Sequence, residues 1–408
     1  MTRFRVSPRT PSQNICSRRA QPALPKGVIT THGMLAANQQ QIRQVWPFLR
    51  DEPPILLDWL PWSHLFGGSH NLNMVLTNGG TLWIDDGRPH PDLVGKTAAN
   101  LAEVRPTIYF NVPAGYATLL PILEANDEIA SAFLERLRIG FFAGAALPQQ
   151  IWDRIRQLVA RHDAHMTMTT SWGLTETSPA CTSAHFDIER SDCLGVPLPG
   201  VEIRLVPVDT RYEARIRGPH VTPGYLGRDD LTADAFDEEG FFRTGDAMSF
   251  ADDTNANAGL IFAGRTAEEF KLSTGTWVQV GTLRPQLISA SDGLITDAVI
   301  CGHDTDAVSA LVWINPVRAS ELSEDGVPGA HLREDLEATL TRLAHTAKGS
   351  SGRVERLAVL TTPAALDAGE ITDKGYVNQR AVRETRSALV NLVVSQPDAP
   401  QVVRGPAR

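Results

Sequence analysis

The sequence predicts an α/β protein: a layered body of strands and helices, a small β subdomain after it, and a compact α+β domain towards the carboxyl end. Three observations predict it. From Leu24 onward, short apolar runs alternate with stretches of helical period, the pattern of a sheet covered by helices. Beyond Gly200 the pattern turns to β, with short runs separated by polar turns. Near Gly264-Arg265 it changes again, and strands and helical periods return within a shorter stretch.

Taken in order, strands are expected at 81–84, 107–110, 138–142 and 166–170, each a short apolar or β-branched run. Ala114 to Leu123 and Gln149 to Ala160 carry apolar residues at spacings of three and four, which reads as helices lying across the sheet. The β stretch is read at 201–206 and 214–217. Strands at 297–301 and 308–314, a helix over 331–348, a strand at 354–360 and a helix after Tyr376 make up the second domain. The domains are therefore placed at 24–264 and 265–395, with an unstructured tail at 396–408. Residues 1–23 also read as unstructured: Arg3, Arg5, Arg9, Arg18 and Arg19 crowd among Ser, Thr and Pro, and the first acidic residue is Asp51. An acid-free, Arg- and Ser-rich opening resembles a transit peptide but has no clear amphipathic stripe; an aberrant opening joined to a normal body is the plainer reading.

Composition narrows the classes. A chain of 408 residues with 42% hydrophobic and 21% charged residues is ordinary for a soluble enzyme. It contains no run of about 18 apolar residues that could span a bilayer. A net charge of -9 argues against wholesale binding of nucleic acid, while leaving room for a local basic pocket around a phosphate. Cys16, Cys181, Cys193 and Cys301 show no Cys-x-x-Cys spacing, so neither a zinc site nor a disulfide framework is suggested, and they read as reduced cytoplasmic thiols.

Two runs carry most of the chemistry. Ser171-Trp172-Gly173-Leu174-Thr175-Glu176 follows a predicted strand, so it is displayed at the carboxyl edge of the sheet, where ligands of open α/β folds sit. There Thr175 could hydrogen-bond an α-phosphate, Glu176 could hold Mg2+, and Trp172 offers a flat surface to an adenine ring. Phe242-Arg243-Thr244-Gly245-Asp246 places a carboxylate that can accept from two adjacent ribose hydroxyls, and Arg265 adds a guanidinium for ribose or phosphate oxygens. Gly144-Ala145-Ala146, after a strand, lets backbone approach a flat ligand, and suits close helix-to-sheet packing equally well. Pro61 to Gly68 concentrates aromatics, glycines and His64, as the wall of an organic-acid pocket would, although a lone histidine there is more often structural.

The order Pro25-Lys26-Gly27, Pro61 to Gly68, Gly144 to Pro148, Ser171 to Glu176, Phe242 to Asp246, Gly264-Arg265 and Thr372-Asp373-Lys374-Gly375 resembles the adenylate-forming superfamily of acyl-CoA synthetases, luciferases and peptide-synthetase adenylation domains. The wording of Leu60 to Gly68, Lys271 to Val278 and Thr372 to Ala381 is most similar to feruloyl-CoA synthases. The resemblance runs from about Leu24 to about Leu392 and implies a two-step reaction using ATP, Mg2+ and coenzyme A. A small-molecule carboxylic acid, here an aromatic hydroxycinnamate, first becomes an acyl-adenylate; a small mobile C-terminal domain then admits CoA, which takes the acyl group as a thioester. It also implies that Lys26 and the Gly144 to Ala146 turn contact the nucleotide and that Lys374 bridges carboxylate and phosphate. Lys271 to Val278, with Gly275, would line the pantetheine channel.

One departure stands out. Where the superfamily has a Ser/Thr/Gly-rich phosphate loop, Ile15 to Leu24 contains no glycine, and Pro22 removes a backbone donor. The resemblance therefore implies an N-terminally truncated adenylation domain at 24–264, with weak pyrophosphate exchange and open apolar strand edges. Two alternatives accompany the ligase reading: a non-catalytic remnant that keeps the adenosine and CoA surfaces, and an adenylating enzyme that passes the acyl group to a carrier protein.

Overall fold

The computed structural model describes residues 14–18 by their backbone and residues 26–406, apart from 89, 91, 145, 146, 209, 210, 267, 268, 348, 366, 367 and 371–376. The chain divides into two compact units, one of residues 1–244 with 248–262 and the other of 245–247 with 263–408.

The first unit opens with β1 (Asn14–Arg18), β2 (Lys26–Thr30) and α1 (His32–Val45). Then come β3 (Ile55–Asp58), α2 (Asn73–Asn78), β4 (Thr81–Ile84), α3 (Val94–Val104), β5 (Ile108–Asn111), α4 (Pro113–Ala125), α5 (Asp127–Leu134), β6 (Ile139–Phe142), α6 (Gln149–Arg161) and β7 (Thr167–Thr170). β3 pairs with β4, and β5 with β6 and β6 with β7, all in parallel. At their starts, the Thr107 amide donates to the Ile55 carbonyl at 2.9 Å. At their ends, Trp59 Nε1 donates to Asn111 Oδ1 at 3.3 Å. β3 and β5 therefore run the same way, and all five carboxyl ends share one edge.

β5, β6 and β7 are buried on both faces, as parallel strands covered by helices must be. Side chains alternate: Ile108, Phe110 and Phe141 pack with Trp46, Phe66 and Met74, whereas Tyr109 and Phe142 pack with Leu101, Leu119, Phe133 and Trp152 of α3 to α6. At about 25 cal/mol per Å2 of apolar area removed from water, each large side chain here stabilises the fold by roughly 2 kcal/mol. The β subdomain follows with β8 (Thr182–Ser183), β9 (Cys193–Pro197), β10 (Glu202–Val208), β11 (Arg211–Arg217), α7 (Asp229–Ala235), β12 (Phe242–Phe250) and β13 (Leu260–Arg265), and its strand order is β10-β11-β12-β13-β9-β8.

The second unit contains β14 (Phe270–Lys271), β15 (Trp277–Val278), α8 (Val280–Ala290), β16 (Ile295–Cys301), β17 (Ser309–Ile314), α9 (Ala330–Thr346), β18 (Arg356–Val359), α10 (Gln379–Thr385), α11 (Ser387–Ser395) and β19 (Val402–Arg404). β16 to β19 form one sheet in chain order. Along β16, Ala298 and Ile300 face Leu287, Leu336 and Leu340, while Val299 and Cys301 face Val382 and Val393, so helices again cover both sides.

Two segments read as unstructured are strands. β1, within 1–23, pairs antiparallel with β2 from Asn14–Thr30 to Arg18–Lys26, satisfying backbone groups that β2 would otherwise leave open. In the tail, β19 pairs antiparallel with β18, and Val402 and Val403 are buried. Flanking Pro and Arg residues mask that two-valine strand in the composition. No helix among the described residues is long and apolar enough to cross a membrane.

Candidate functional site

The Ser171 to Glu176 run leaves the carboxyl end of β7 and folds back on itself. Ser171 Oγ donates to the Thr182 carbonyl at 2.6 Å, the Cys181 amide donates to the Trp172 carbonyl at 2.8 Å, and Gly173 bridges Ala180. A Cβ on Gly173 would lie 1.7 Å from the Pro179 carbonyl oxygen, so only glycine permits this return. Along the run burial alternates: Trp172, Leu174 and Glu176 are buried, and Ser171, Gly173 and Thr175 are half-buried. Trp172, 7% exposed, packs in the core with Leu198 and Val201; in an extended segment the two large apolar side chains take the inward positions.

Glu176 is 1% exposed. Its Oε1 accepts from the Tyr225 hydroxyl at 2.9 Å, and its backbone carbonyl accepts from the Thr222 amide at 2.7 Å. The same segment is bound to β2: the Ile29 amide donates to the Gly224 carbonyl at 3.1 Å and the Leu226 amide to the Gly27 carbonyl at 2.8 Å. Lys26 then sits with its ammonium 5.1 Å from the centroid of the Tyr225 ring. Two residues from distant runs, Lys26 and Glu176, thus meet around Tyr225, with Thr175 next in the turn. Tyr225 was missed by sequence reasoning, and the aromatic after the Pro223-Gly224 turn was its only signal.

At the carboxyl end of β3 a second polar group is built. The Asp58 carboxylate accepts from the Leu60 amide at 3.0 Å and from Asn71 Nδ2 at 2.9 Å, and His70 Nδ1 donates to Asn71 Oδ1 at 2.9 Å. Burial raises the Asp58 pKa to about 6 and lowers that of His70 to about 4. This network anchors the π-helical segment Phe66–Leu72 to the strand end. His64 Nδ1 accepts from the Phe66 amide at 3.1 Å, which makes it the ordering group at the start of that segment. A Cβ on Gly67 or Gly68 would come within 2.6 Å of the Leu60 and Pro61 oxygens or 2.3 Å of the Trp62 oxygen, so both glycines are needed for the fold-back. Trp62, 53% exposed, stands outside it. Asp58, Asn71 and His70 formed no recognisable spacing in the sequence.

Gly144, at φ +91°, turns the chain after β6, while Ala145 and Ala146 lie outside the described residues. In the second unit, buried Asp246 carries Arg265 with its Nε 3.4 Å from Oδ1, and Thr266 Oγ1 donates to the Gly245 carbonyl at 3.1 Å. Gly275, at φ +81°, forms the exposed tip between β14 and β15, where Lys271 stands 4.8 Å from the Trp277 ring centroid. Lys374 lies outside the described residues.

No cluster of three or more His, Cys, Asp or Glu suited to a metal occurs among the described residues. A single carboxylate, Glu176, fits a cation such as Mg2+ that is held mainly by phosphate oxygens and water rather than by a protein cage.

Residues 23–226 match the model of the AMP-binding enzyme family. A long-chain-fatty-acid–CoA ligase of Yersinia pestis is 27% identical over 238 residues, covering 56% of this chain and 40% of that protein. A probable 4-coumarate–CoA ligase of Dictyostelium discoideum is 26% identical over 286 residues, covering 68% of this chain and 48% of the relative. The chain therefore spans about half the length, or less, of these relatives. The structure of O-succinylbenzoate coenzyme A synthetase from Bacillus subtilis, in complex with AMP, superposes with a TM-score of 0.68 at 17% identity, over 90% of this chain and 68% of the other, which establishes a shared fold.

Proposed function

The chain belongs to the AMP-binding enzyme family, and from that premise we propose that it is an ATP-dependent carboxylate–CoA ligase acting through an acyl-adenylate. The observation that carries the proposal is the meeting of Lys26, Thr175, Glu176 and Tyr225 beyond the carboxyl end of β7, a position suited to phosphate and its cation. In this reading Thr175 donates to the α-phosphate, Glu176 holds Mg2+, and Lys26 adds positive charge beside them. Mg2+, when bound, neutralises the phosphate oxygens that carry charge as pyrophosphate leaves. Asp246 and Arg265 take the ribose, the Gly144 turn lies along the base, and the segment containing His64 walls the acid pocket. Lys374 stabilises the charge that develops between carboxylate and phosphate, and the Gly275 hairpin receives the pantetheine of CoA. The adenylation domain is read as 24–264 and the smaller domain as 265–395, in a cytoplasmic protein.

The substrate is proposed to be an aromatic acid of the hydroxycinnamate class, supported by the wording of Leu60 to Gly68, Lys271 to Val278 and Thr372 to Ala381. Incubation with ATP, Mg2+ and CoA beside ferulate, 4-coumarate, malonate or a long-chain fatty acid tests it. A thioester formed from ferulate or 4-coumarate supports the aromatic reading, and one formed only from the fatty acid or malonate overturns it. AMP and pyrophosphate without a thioester would point to another acyl acceptor, such as a carrier protein. A second reading, of a chain that holds adenosine and CoA without activating an acid, is favoured by the absence of glycine from Ile15 to Leu24. It predicts AMP binding with negligible ATP–pyrophosphate exchange.

A further inference from the structure

Resting on the ligase reading, we infer that Tyr225 is a positioning residue: its hydroxyl fixes the Glu176 carboxylate in the orientation that receives the divalent cation of a metal–nucleotide complex. Burial to 1% takes the Glu176 side chain out of water, which is tolerable only where its oxygens are bonded. The outermost torsion of a glutamate is broad and nearly two-fold, so burial by itself leaves the facing of the two oxygens open. The Tyr225 hydroxyl, donating to Oε1 at 2.9 Å, selects one facing.

The backbone reinforces the choice. Thr222 donates its amide to the Glu176 carbonyl at 2.7 Å, so main chain and side chain of Glu176 are both held by one four-residue stretch. That stretch is in turn a strand partner of β2, through the Val28–Tyr225 bridge. The Tyr225 ring is 6% exposed and carries the Lys26 ammonium on its face, a contact that phenylalanine would preserve. Only the hydroxyl distinguishes tyrosine at this position, and its partner is the carboxylate.

Tyr225→Phe removes that hydroxyl and keeps the ring. Binding is read on the whole chain in two ways: electron paramagnetic resonance of Mn2+ titrated with ATP and protein, and calorimetry of AMP without metal. Loss of an orienting partner behind a metal ligand costs about 10-fold or more in metal affinity. The expected result is an Mn2+–ATP affinity lowered by about 10-fold, with metal-free AMP affinity unchanged and the Glu176→Gln variant giving a loss at least as large. Unchanged Mn2+–ATP binding in Tyr225→Phe overturns the inference while leaving the ligase reading standing. An equal loss for Mn2+–ATP and AMP also overturns it, because a general loosening of the site would act on both. Failure of the unaltered chain to bind Mn2+–ATP removes the ligase reading and the inference together.

Discussion

Two corners of the parallel sheet differ in how their buried carboxylates are held. Beyond β7, Glu176 receives a tyrosine hydroxyl from a segment some fifty residues away in sequence, and a cation stands on that tyrosine's ring. Beyond β3, Asp58 is held by local partners, among them the Leu60 amide and the Asn71 side chain, and His70 completes the chain among Trp46, Phe66, Phe110 and Phe141. The first corner joins distant strands around a group suited to a ligand; the second fastens a loop to its own strand. On the ligase reading these two corners of one fold divide into chemistry and shape, and substitutions at each should fail in different ways.

The largest effect is expected at the first corner. Glu176→Gln keeps the size of the side chain and an acceptor for Tyr225 but removes the charge, so the rate of acyl-adenylate formation should fall by about 100-fold, the scale of losing one preorganised electrostatic group. Thermal unfolding should move little. A fall in stability without a loss of rate, measured by pyrophosphate release, would reverse the roles assigned to the two corners.

At the second corner the balance should be the opposite. Asn71→Leu leaves Asp58 and His70 buried without the amide that joins them, a cost of about 1–3 kcal/mol for each unsatisfied group. In a unit of this size each kcal/mol lowers the unfolding midpoint by roughly 2–4 °C. Metal-free AMP affinity should be unchanged. If AMP affinity falls in step with the midpoint, the two corners are one cooperative site.

Acid sharpens the contrast. Burial lowers His70, His220 and His303 to about 4 from 6.5, so between those values the unfolded chain binds the extra protons and stability is lost as pH falls. Asp58 works against them: raised from 3.8 to about 6, it holds a proton in the folded state, and its stabilising contribution is lost as pH rises through that window. Three opposing histidines outweigh one aspartate, so stability should rise from pH 4.5 to 6. Asp58→Asn removes the opposing contribution and should steepen the rise, visible as a wider spread of chemical-denaturation midpoints between those pH values. An unchanged slope would mean that Asp58 does not titrate there.

Much of this was legible in the sequence because it depended on local pattern. β4, β5, β6 and β7 and helices α4, α6 and α9 fall where period and composition place them, and the Ser171 to Glu176 turn is where a strand-then-turn reading puts it. Tyr225 was not legible, since its partner is 49 residues away and only the β2 pairing brings them together. The Asp58, Asn71 and His70 network was invisible for a related reason: a π-helical segment has neither the strand nor the α-helical period that pattern reading uses.

The smallest effect should come from the outer edge beside the second corner. β4 pairs only with β3 among the described strands, and it leaves Trp83 52% and Ile84 72% exposed, with Leu76 of α2 69% exposed. An unpaired edge with apolar side chains is a template for association, whereas a lysine on such an edge opposes it. Ile84→Lys removes almost no buried contact, so its effect on unfolding should stay within about 0.5 kcal/mol. Light scattering of concentrated protein should nevertheless fall, with nucleotide binding at the first corner unchanged. Because the substitution adds charge only where the sheet is open, an unaltered scattering signal would show that association proceeds through another surface and that this edge is already covered in solution.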